Sequence, residues 1–563
     1  MLVNHQRSLV LTVLAMAMAA TPVTASASTV ADLRIPTVAR GYRAPKLPTA
    51  TLKLAGITAQ PFVGIKLHDA IAMALLKNPN LAIEMEKLKI AGYQVTAAKG
   101  AFDVHFQLAP SITHLTDAPT NAFFAGPNFS PIIQNQQKLA GSLGALLPSG
   151  ESLTVGLSQT KTDDNTFINA FNPSFETSLD AAFVQPLFRG AGTNPAKAQL
   201  ELAVLGSRAQ RAATLSQVSL SIANVESSYW NLVAAWRNVA IANSALNQAR
   251  AQEGSVRRLV AHGAAAPVEI TEAHSQAEAF RASLESALQG VATLQNTLKS
   301  EILDDPNDPI WMANLVPTSP ARSLPTISNL PKLVAQALKE RPEIAQSKAT
   351  VAAAAVALRN AKNGILPKID LSLGYQSNGY AGIPTNVNPF GSGPPTPVPG
   401  YLAGAMAQSY HNLWGGRFPI YDAQLTYSTT FGHHQSHAAL SSAEANVRIA
   451  SIQARNLIQQ IVFENRNALQ AYQSAIARLA ATRSARIAAA RVYQSEVRKF
   501  KNGASTTFLV LQRQVQLEQA MGAELQAQSD LNISIVDIEQ ATGTILSQNH
   551  VELKNIGTGA LHE

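Results

Sequence analysis

With no cysteine among the 563 residues of this chain, thiol chemistry is excluded, and the densest group of residues that could do chemistry is a cluster of histidines. One run, His433-His434-x-x-His437, has the density of a metal site, and His434 and His437 could share a helical face. No matching carboxylate or closed ligand set accompanies it, so no metal is expected and the run reads as a strand-to-helix junction facing water. Gly-x-Ser-x-Gly, His-Glu-x-x-His and a phosphate loop with its lysine are all missing, and no nucleophile stands with a base. Catalysis has no residue to rest on. The expectation is a protein that is not an enzyme and carries no cofactor.

The elements that would position any site are unusual. A long pattern occurs twice at a constant offset. Ala74-Leu75, Asn78-Pro79-Asn80-Leu81, Ala98-Lys99 and Phe102-Asp103-Val104 correspond to Ala337-Leu338, Arg341-Pro342-Glu343-Ile344, Ala361-Lys362 and Ile365-Leu366-Pro367. Each copy is a helical segment that runs into alternating strands and then a very long Ala/Gln-rich helical stretch, which indicates a duplicated architecture. Aromatics are only 6% of the chain, too few for one large globular core, whereas small side chains allow helices to approach closely.

The first repeat covers 63–303. A helix is expected from about Lys66 to Lys99, after which the period changes from 3.6 to 2. Val104, Phe106, Leu108 and Ile112 alternate with polar or small residues. So do Leu139 to Leu147, Leu153 to Leu157 and Phe175 to Phe183, which places strands within 102–189 and a turn at Leu147-Pro148-Ser149-Gly150. Such alternation suits a barrel strand between lipid and water, and equally a soluble sandwich strand. A helical hairpin follows over 194–303, broken at His262-Gly263-Ala264. Its first arm alone would extend roughly 100 Å at 1.5 Å per residue. Residues 304–331 are Pro-rich and read as a linker, with Trp311 anchoring it to the helical body. The second repeat, 332–545, has strands within 367–431, a loop from Asn378 to Gly400, and a hairpin over 435–545 that breaks at Lys501-Asn502-Gly503-Ala504. Trp414, Tyr410 and Tyr421 fit an interfacial aromatic girdle. Trp230, Trp236 and Tyr229 read as helix packing.

The N-terminus reads as a secretory leader at 1–27: His5 and Arg7, an apolar run from Leu9 to Ala20, then Ala25-Ser26-Ala27. A Pro-rich arm at 28–62 follows, and 546–563 form a tail. The missing cysteine excludes disulfides and an acyl-cysteine anchor. A net charge of +8 without any basic block gives no reason to expect nucleic acid.

Over essentially its whole mature length the chain resembles the TolC-like outer-membrane efflux proteins. The resemblance rests on the Ala-Leu, Arg-Pro-Glu-Ile and Leu-Pro run at 337–367 with its fainter copy at 74–104. It rests also on Gln185-Pro186-Leu187-Phe188-Arg189-Gly190, Lys499-Phe500-Lys501-Asn502-Gly503 and Ile538-Glu539-Gln540-Ala541-Thr542-Gly543. It implies a mainly α fold with membrane β-strands, a homotrimer that shares one outer-membrane β-barrel, and a periplasmic α-barrel of long helices. It further implies a passive exit duct in the outer membrane, extending into the periplasm. The partners would be outer-membrane lipid, a periplasmic adaptor and an inner-membrane pump of the resistance–nodulation–division, ABC or major facilitator type. The family supplies two strands per repeat, and the first repeat here offers four. Either the barrel has about eighteen strands, or residues 136–160 lie in an extracellular loop or a periplasmic collar.

In the family, carboxylates six and nine residues past the second tip glycine ring the periplasmic entrance. Here those positions are Leu509 and Gln512, but Glu269 and Glu272 stand at the matching places after Gly263. The resemblance therefore moves the entrance ring to Glu269 and Glu272, although a carboxylate early in a helix also suits the helix dipole. Gly263 and Gly503 would mark the adaptor-docking tips. The competing reading is a periplasmic coiled-coil scaffold or adaptor without a pore.

Overall fold

The computed structural model describes residues 61–118, 130–166, 168–320, 329–385 and 397–551. The leader, nearly all of the 28–62 arm and the tail beyond 551 lie outside the described residues. The first repeat contains β1 (Phe62–Ile65), α1 (Leu67–Lys77), α2 (Pro79–Lys99), β2 (His105–Asp117), β3 (Ile132–Leu146), β4 (Ser152–Asp164), β5 (Phe171–Pro186), α3 (Pro195–Ala261) and α4 (Val268–Ile302). After β6 (Asn314–Pro317), the second contains α5 (Leu330–Glu340), α6 (Pro342–Ile365), β7 (Lys368–Pro384), α7 (Met406–Trp414), β8 (Phe418–Ser428), α8 (His434–Lys501), α9 (Thr507–Thr542) and α10 (Ile545–Gln548). The chain divides into two compact units, one of 93–209 with 345–457, the other of 1–92, 210–344 and 458–563.

Proline corrects the expected opening helix of each repeat. The single helix read over 66–99 is two, because the Pro79 ring disfavours helical geometry in the residue before it, and Asn78 sits at ψ 118°. The second repeat breaks likewise before Pro342, where Arg341 has ψ 126°.

The unit of 93–209 and 345–457 is built on one antiparallel sheet in the order β2-β3-β4-β5-β7-β8. One line of partners crosses all six strands: Phe106, Leu143, Val155, Ala181, Tyr375 and Tyr421. The β3–β4 hairpin lies between β2 and β5, and its turn is closed by the Gly150 amide donating to the Leu147 carbonyl at 2.9 Å. Gly150 is at φ +108°, and a Cβ there would lie 2.4 Å from the Gly190 carbonyl oxygen. That close approach explains the glycine at 150, and Gly190 is itself left-handed at φ +96°. Leu187 N–H donates to the Ile369 carbonyl at 2.7 Å, and Gly190 N–H to Asn363 Oδ1 at 2.8 Å, which fastens the segment after β5 to the start of β7 and to the end of α6.

The loop expected over 378–400 is corrected at its start, and 386–396 lie outside the described residues. Strand β7 continues to Pro384, and α7 folds back onto β5 and β7. The helix is held by polar bonds. Thr177 and Ser409 hydroxyls meet at 2.7 Å, and Ser377 Oγ donates to the Leu413 carbonyl at 3.0 Å. Asn412 Nδ2 donates to the Tyr380 and Tyr401 carbonyls at 2.8 and 2.6 Å. Gly379 lets the helix backbone touch the strand, since a Cβ there would stand 1.9 Å from the Ser409 carbonyl oxygen. Gly379→Ala should therefore lift α7 and cost about 1–3 kcal/mol, the usual range for overpacking. Faster proteolytic cleavage within 397–417, with the rest of the protease map unchanged, is the expected readout.

The other unit is helical, with a core that includes Tyr229, Trp230, Phe280, Leu298 and Ile302. The segment read as a linker contributes real structure: β6 pairs in parallel with β1, from Phe62↔Asn314 to Ile65↔Pro317. Tyr229 and Trp236 do more than pack, because they latch this ribbon to α3. Tyr229 Oη donates to the Ile65 carbonyl at 3.1 Å and accepts from the Ser319 amide at 2.8 Å. Trp236 Nε1 donates to the Leu315 carbonyl at 2.8 Å. Trp311 packs partly buried against the core, and its carbonyl and that of Ala313 accept from the buried Lys299 ammonium at 2.9 and 2.6 Å.

The repeated proline motif sits where each hairpin returns. In the first copy Asn78 Nδ2 donates to the Glu301 carbonyl at the end of α4, at 3.0 Å. In the second, Arg341 pairs with Glu343 at 3.2 Å and with Glu464 of α8. Ser216 Oγ donates to Glu343 at 2.7 Å. Gly543, left-handed at φ +76°, ends α9 against Arg341, and a Cβ there would be 3.0 Å from the Arg341 amide nitrogen.

Candidate channel wall and hairpin tips

Side chains alternate across a strand, so the register line sorts the sheet into two faces. One face carries Phe106, Leu108 and Ile112 on β2, Leu139 and Leu143 on β3, and Leu153, Val155 and Leu157 on β4. It continues through Leu179, Ala181 and Phe183 on β5, Leu371, Leu373 and Tyr375 on β7, and Tyr421, Ala423, Leu425 and Tyr427 on β8. The opposite face carries Gln107, Ser111, Ser142, Thr154, Ser158, Glu176, Ser178, Asp180, Ser372, Gln376, Asp422 and Gln424. Contacts confirm the sorting. The Tyr375 and Tyr421 rings lie 5.3 Å apart on the first face, and Gln376 Nε2 donates to Ser178 Oγ at 3.2 Å on the second.

The apolar face is continuous and open. Ile112 is 83% exposed and Leu425 64% exposed in the single chain. An apolar surface of this extent is unfavourable in water and matches hydrocarbon. It ends along a line at Ile112, Leu139, Leu157, Leu179, Tyr375 and Tyr421, beyond which Gln137, Gln159, Thr177 and Ser377 take the same face. Helix α7 sits just past that line, with Trp414 63% exposed. Aromatic rings at such a border occupy the lipid–water interface. No helix among the described residues is long and apolar enough to cross a membrane.

The hairpin tips lie in the helical unit and share one geometry. Gly263 at φ +71° donates its N–H to the Val260 carbonyl at 2.9 Å, and Ala264 donates to that of Leu259 at 2.8 Å. Gly503 at φ +73° donates to Phe500 at 3.0 Å, and Ala504 to Lys499 at 2.9 Å. Both are helix ends closed by a left-handed glycine. Nothing lies within 4 Å of a Cβ at either glycine, and both tips are exposed.

The structure separates the two candidate ring carboxylates. Glu269 accepts from Thr507 Oγ1 on α9 at 2.7 Å, which ties the two hairpins together near their tips. Glu272 is exposed and lines a cavity of about 670 Å³ between α4 and α9, with Thr271, Ser275, Phe508, Leu511 and Gln512. Gln512, one of the positions that lacks the expected carboxylate, thus faces the same cavity as Glu272. The Thr507 partner was not apparent in the sequence; its place four residues past Gly503 in the matching hairpin was the available signal. In the histidine run, the rings that face each other are His433 and His437, at 6.1 Å, and not His434 and His437. His433 has a left-handed φ of 47° before the start of α8, which turns its ring toward the first turn of the helix. Among the described residues no three His, Asp or Glu side chains are grouped to hold a metal.

A sheet with one lipid-compatible and one polar face, joined to paired long helical hairpins, defines a TolC-like outer-membrane channel fold. Residues 333–544, the second repeat, match the model of the outer membrane efflux protein family. A Pseudomonas aeruginosa membrane protein is similar at 17% identity and TM-score 0.60, over 90% of this chain and 97% of that one. The outer-membrane channel OprN is similar at 17% identity and TM-score 0.59, over 90% and 98% of the two chains. The Campylobacter jejuni CmeC outer membrane channel is similar at 16% identity and TM-score 0.60, over 87% and 89%. A search of curated proteins returns no match.

Proposed function

We propose that three copies of this chain form a passive exit duct in the outer membrane. The duct docks a periplasmic adaptor through its hairpin tips and is coupled to an inner-membrane pump of the resistance–nodulation–division, ABC or major facilitator type. The observation that carries this reading is the six-stranded sheet with a continuous apolar band on one face and polar residues on the other. A coiled-coil scaffold has no use for such a face. The first test is reconstitution of the purified mature protein into planar bilayers. Discrete, long-lived current steps are expected; silence, with release of the protein from membranes by high salt, would favour the scaffold.

Glu269 and Glu272 supply the negative charge at the entrance. Removing both as Glu269→Gln with Glu272→Gln should lower the cation-to-anion permeability ratio. Glu272→Gln alone should have the larger single effect, because Glu269 is engaged by Thr507. Reversal potentials in a salt gradient measure this, and an unchanged ratio would remove the ring.

Gly503 is open to a partner, and any L side chain there meets the left-handed backbone penalty of roughly 1–2 kcal/mol. Gly503→Arg should thus reshape the tip and reduce adaptor capture about 5–30-fold, the equivalent of that penalty. Crosslinking to the adaptor in cells provides the readout.

A further inference from the structure

We infer that the β3–β4 hairpin is part of the membrane wall, so that each copy contributes six strands and the three-copy barrel has eighteen. The inference rests on the exit-duct reading and adds the size and composition of its wall.

The argument begins inside the chain. The repeat motif places β2 and β7 at corresponding positions, each shortly after its Ala-Lys pair, and β5 and β8 are the strands that return to the helices. Between β7 and β8 the second repeat inserts α7. Between β2 and β5 the first repeat inserts a complete hairpin instead. This hairpin is not an appendage. Strand β2 pairs with β3 along its whole length, β3 with β4, and β4 with β5, while β2 and β5 share no ladder. Withdrawing the hairpin from the membrane would break two ladders and open the facing edges of β2 and β5, and open edges are not tolerated in hydrocarbon.

The faces agree. Leu153, Val155 and Leu157 of β4 are level with Phe183, Ala181 and Leu179 of β5, and Leu143 and Leu139 of β3 extend the same apolar band to β2. On the other face, Asp180 leans over Gly156 of β4, where a Cβ would be 2.5 Å from its carboxylate oxygen. Asp422 leans over Gly374 of β7 in the same way, at 2.0 Å. The inserted strands therefore show the same polar and apolar sides as the strands of the second repeat.

Closure follows from direction. With six alternating strands, the edges β2 and β8 run oppositely, so β8 of one copy beside β2 of the next continues the antiparallel order. Both edges are exposed in the single chain. The occupant of each edge is a second copy of this chain. At eighteen strands the wall falls in the size class that leaves an open aqueous lumen.

The chain has no cysteine, so single labels can be placed without background. Nitroxides would be attached in reconstituted channels at Leu153→Cys, Val155→Cys and Leu157→Cys on β4. Leu371→Cys, Leu373→Cys and Tyr375→Cys on β7 serve as the reference. Collision with molecular oxygen reports lipid, and collision with a water-soluble nickel chelate reports water. The expected result is oxygen accessibility on β4 equal to that on β7 and several-fold above the chelate signal. Ser158→Cys, on the opposite face, should react with a membrane-impermeant thiol reagent. Chelate access at all β4 positions, with β7 still in lipid, would overturn the eighteen-stranded wall and leave the duct intact. Chelate access on β7 as well would overturn the duct reading, and this inference with it.

Discussion

Arg341→Ala is expected to lower the stability of the helical unit by about 2–3 kcal/mol, between the limits for exposed and buried ion pairs. Arg341, between α5 and α6, is 11% exposed in its side chain and contacts two carboxylates, Glu343 in the first turn of α6 and Glu464 on α8. Its loss leaves both acids close together without a cation. Burial alone would raise the Glu343 pKa, but the Arg341 guanidinium and the Ser216 hydroxyl hold it below the ordinary carboxylate value. A group whose folded pKa is depressed contributes stability above its unfolded pKa and loses it as pH falls through the folded one. The wild-type advantage should therefore be full at neutral pH and shrink below about pH 4, near the unfolded glutamate value. Helical ellipticity followed on heating at pH 7 and pH 3.5 measures both. A penalty equal at the two pH values would show that Arg341 acts through packing of its stem against Gly543 instead. Arg341→Met combined with Glu343→Gln should recover part of the loss, because the pair is then removed together.

Leu373→Arg should be at least as costly, for a reason that belongs to the lipid. Leu373 lies in the apolar band of β7, between Phe183 and Ala423 on the neighbouring strands. An arginine on the lipid face of a barrel near the bilayer midplane costs about 2–4 kcal/mol. The adjacent Ser372→Arg points to the polar face and should be close to neutral. The comparison is the yield of heat-modifiable, folded barrel in detergent gels after refolding into liposomes. Equal yields for the two variants would mean that the face assigned to lipid is not in lipid.

The features legible in the sequence were those with a strong local physical cause. Pro79 and Pro342 marked the repeat, two-residue alternation marked the strands, and Gly263 and Gly503 marked the tips. What was missed had its cause elsewhere in the chain. Gly379 read as loop because it is small, yet it is small because α7 rests on it. Helix α7 was itself hidden, since its buried side is Ser409, Asn412 and Leu413, and its polar members bond to the strand beneath. Strands β1 and β6 have only four residues each and become strands by finding one another. The carboxylates at 269 and 272 were visible as a pair, but their different surroundings depend on Thr507 and Gln512, which the sequence places more than two hundred residues away.

The β1–β6 ribbon also sets a clock for biogenesis. The Leu67 amide that caps this region bonds to Ser319, 252 residues later. The chain emerges from its N-terminus, so the early strand has no partner until the residues that precede Ser319 have followed it. During that interval the first helical hairpin is complete, while the ribbon that Tyr229 and Trp236 clasp is half absent. A purified chain truncated shortly before residue 314 should therefore leave Phe62 to Ile65 open to protease, and one extended well past Ser319 should protect them. The first repeat would then mature only after the chain between the repeats has been made, so the duplicated halves are not independent folding modules in time.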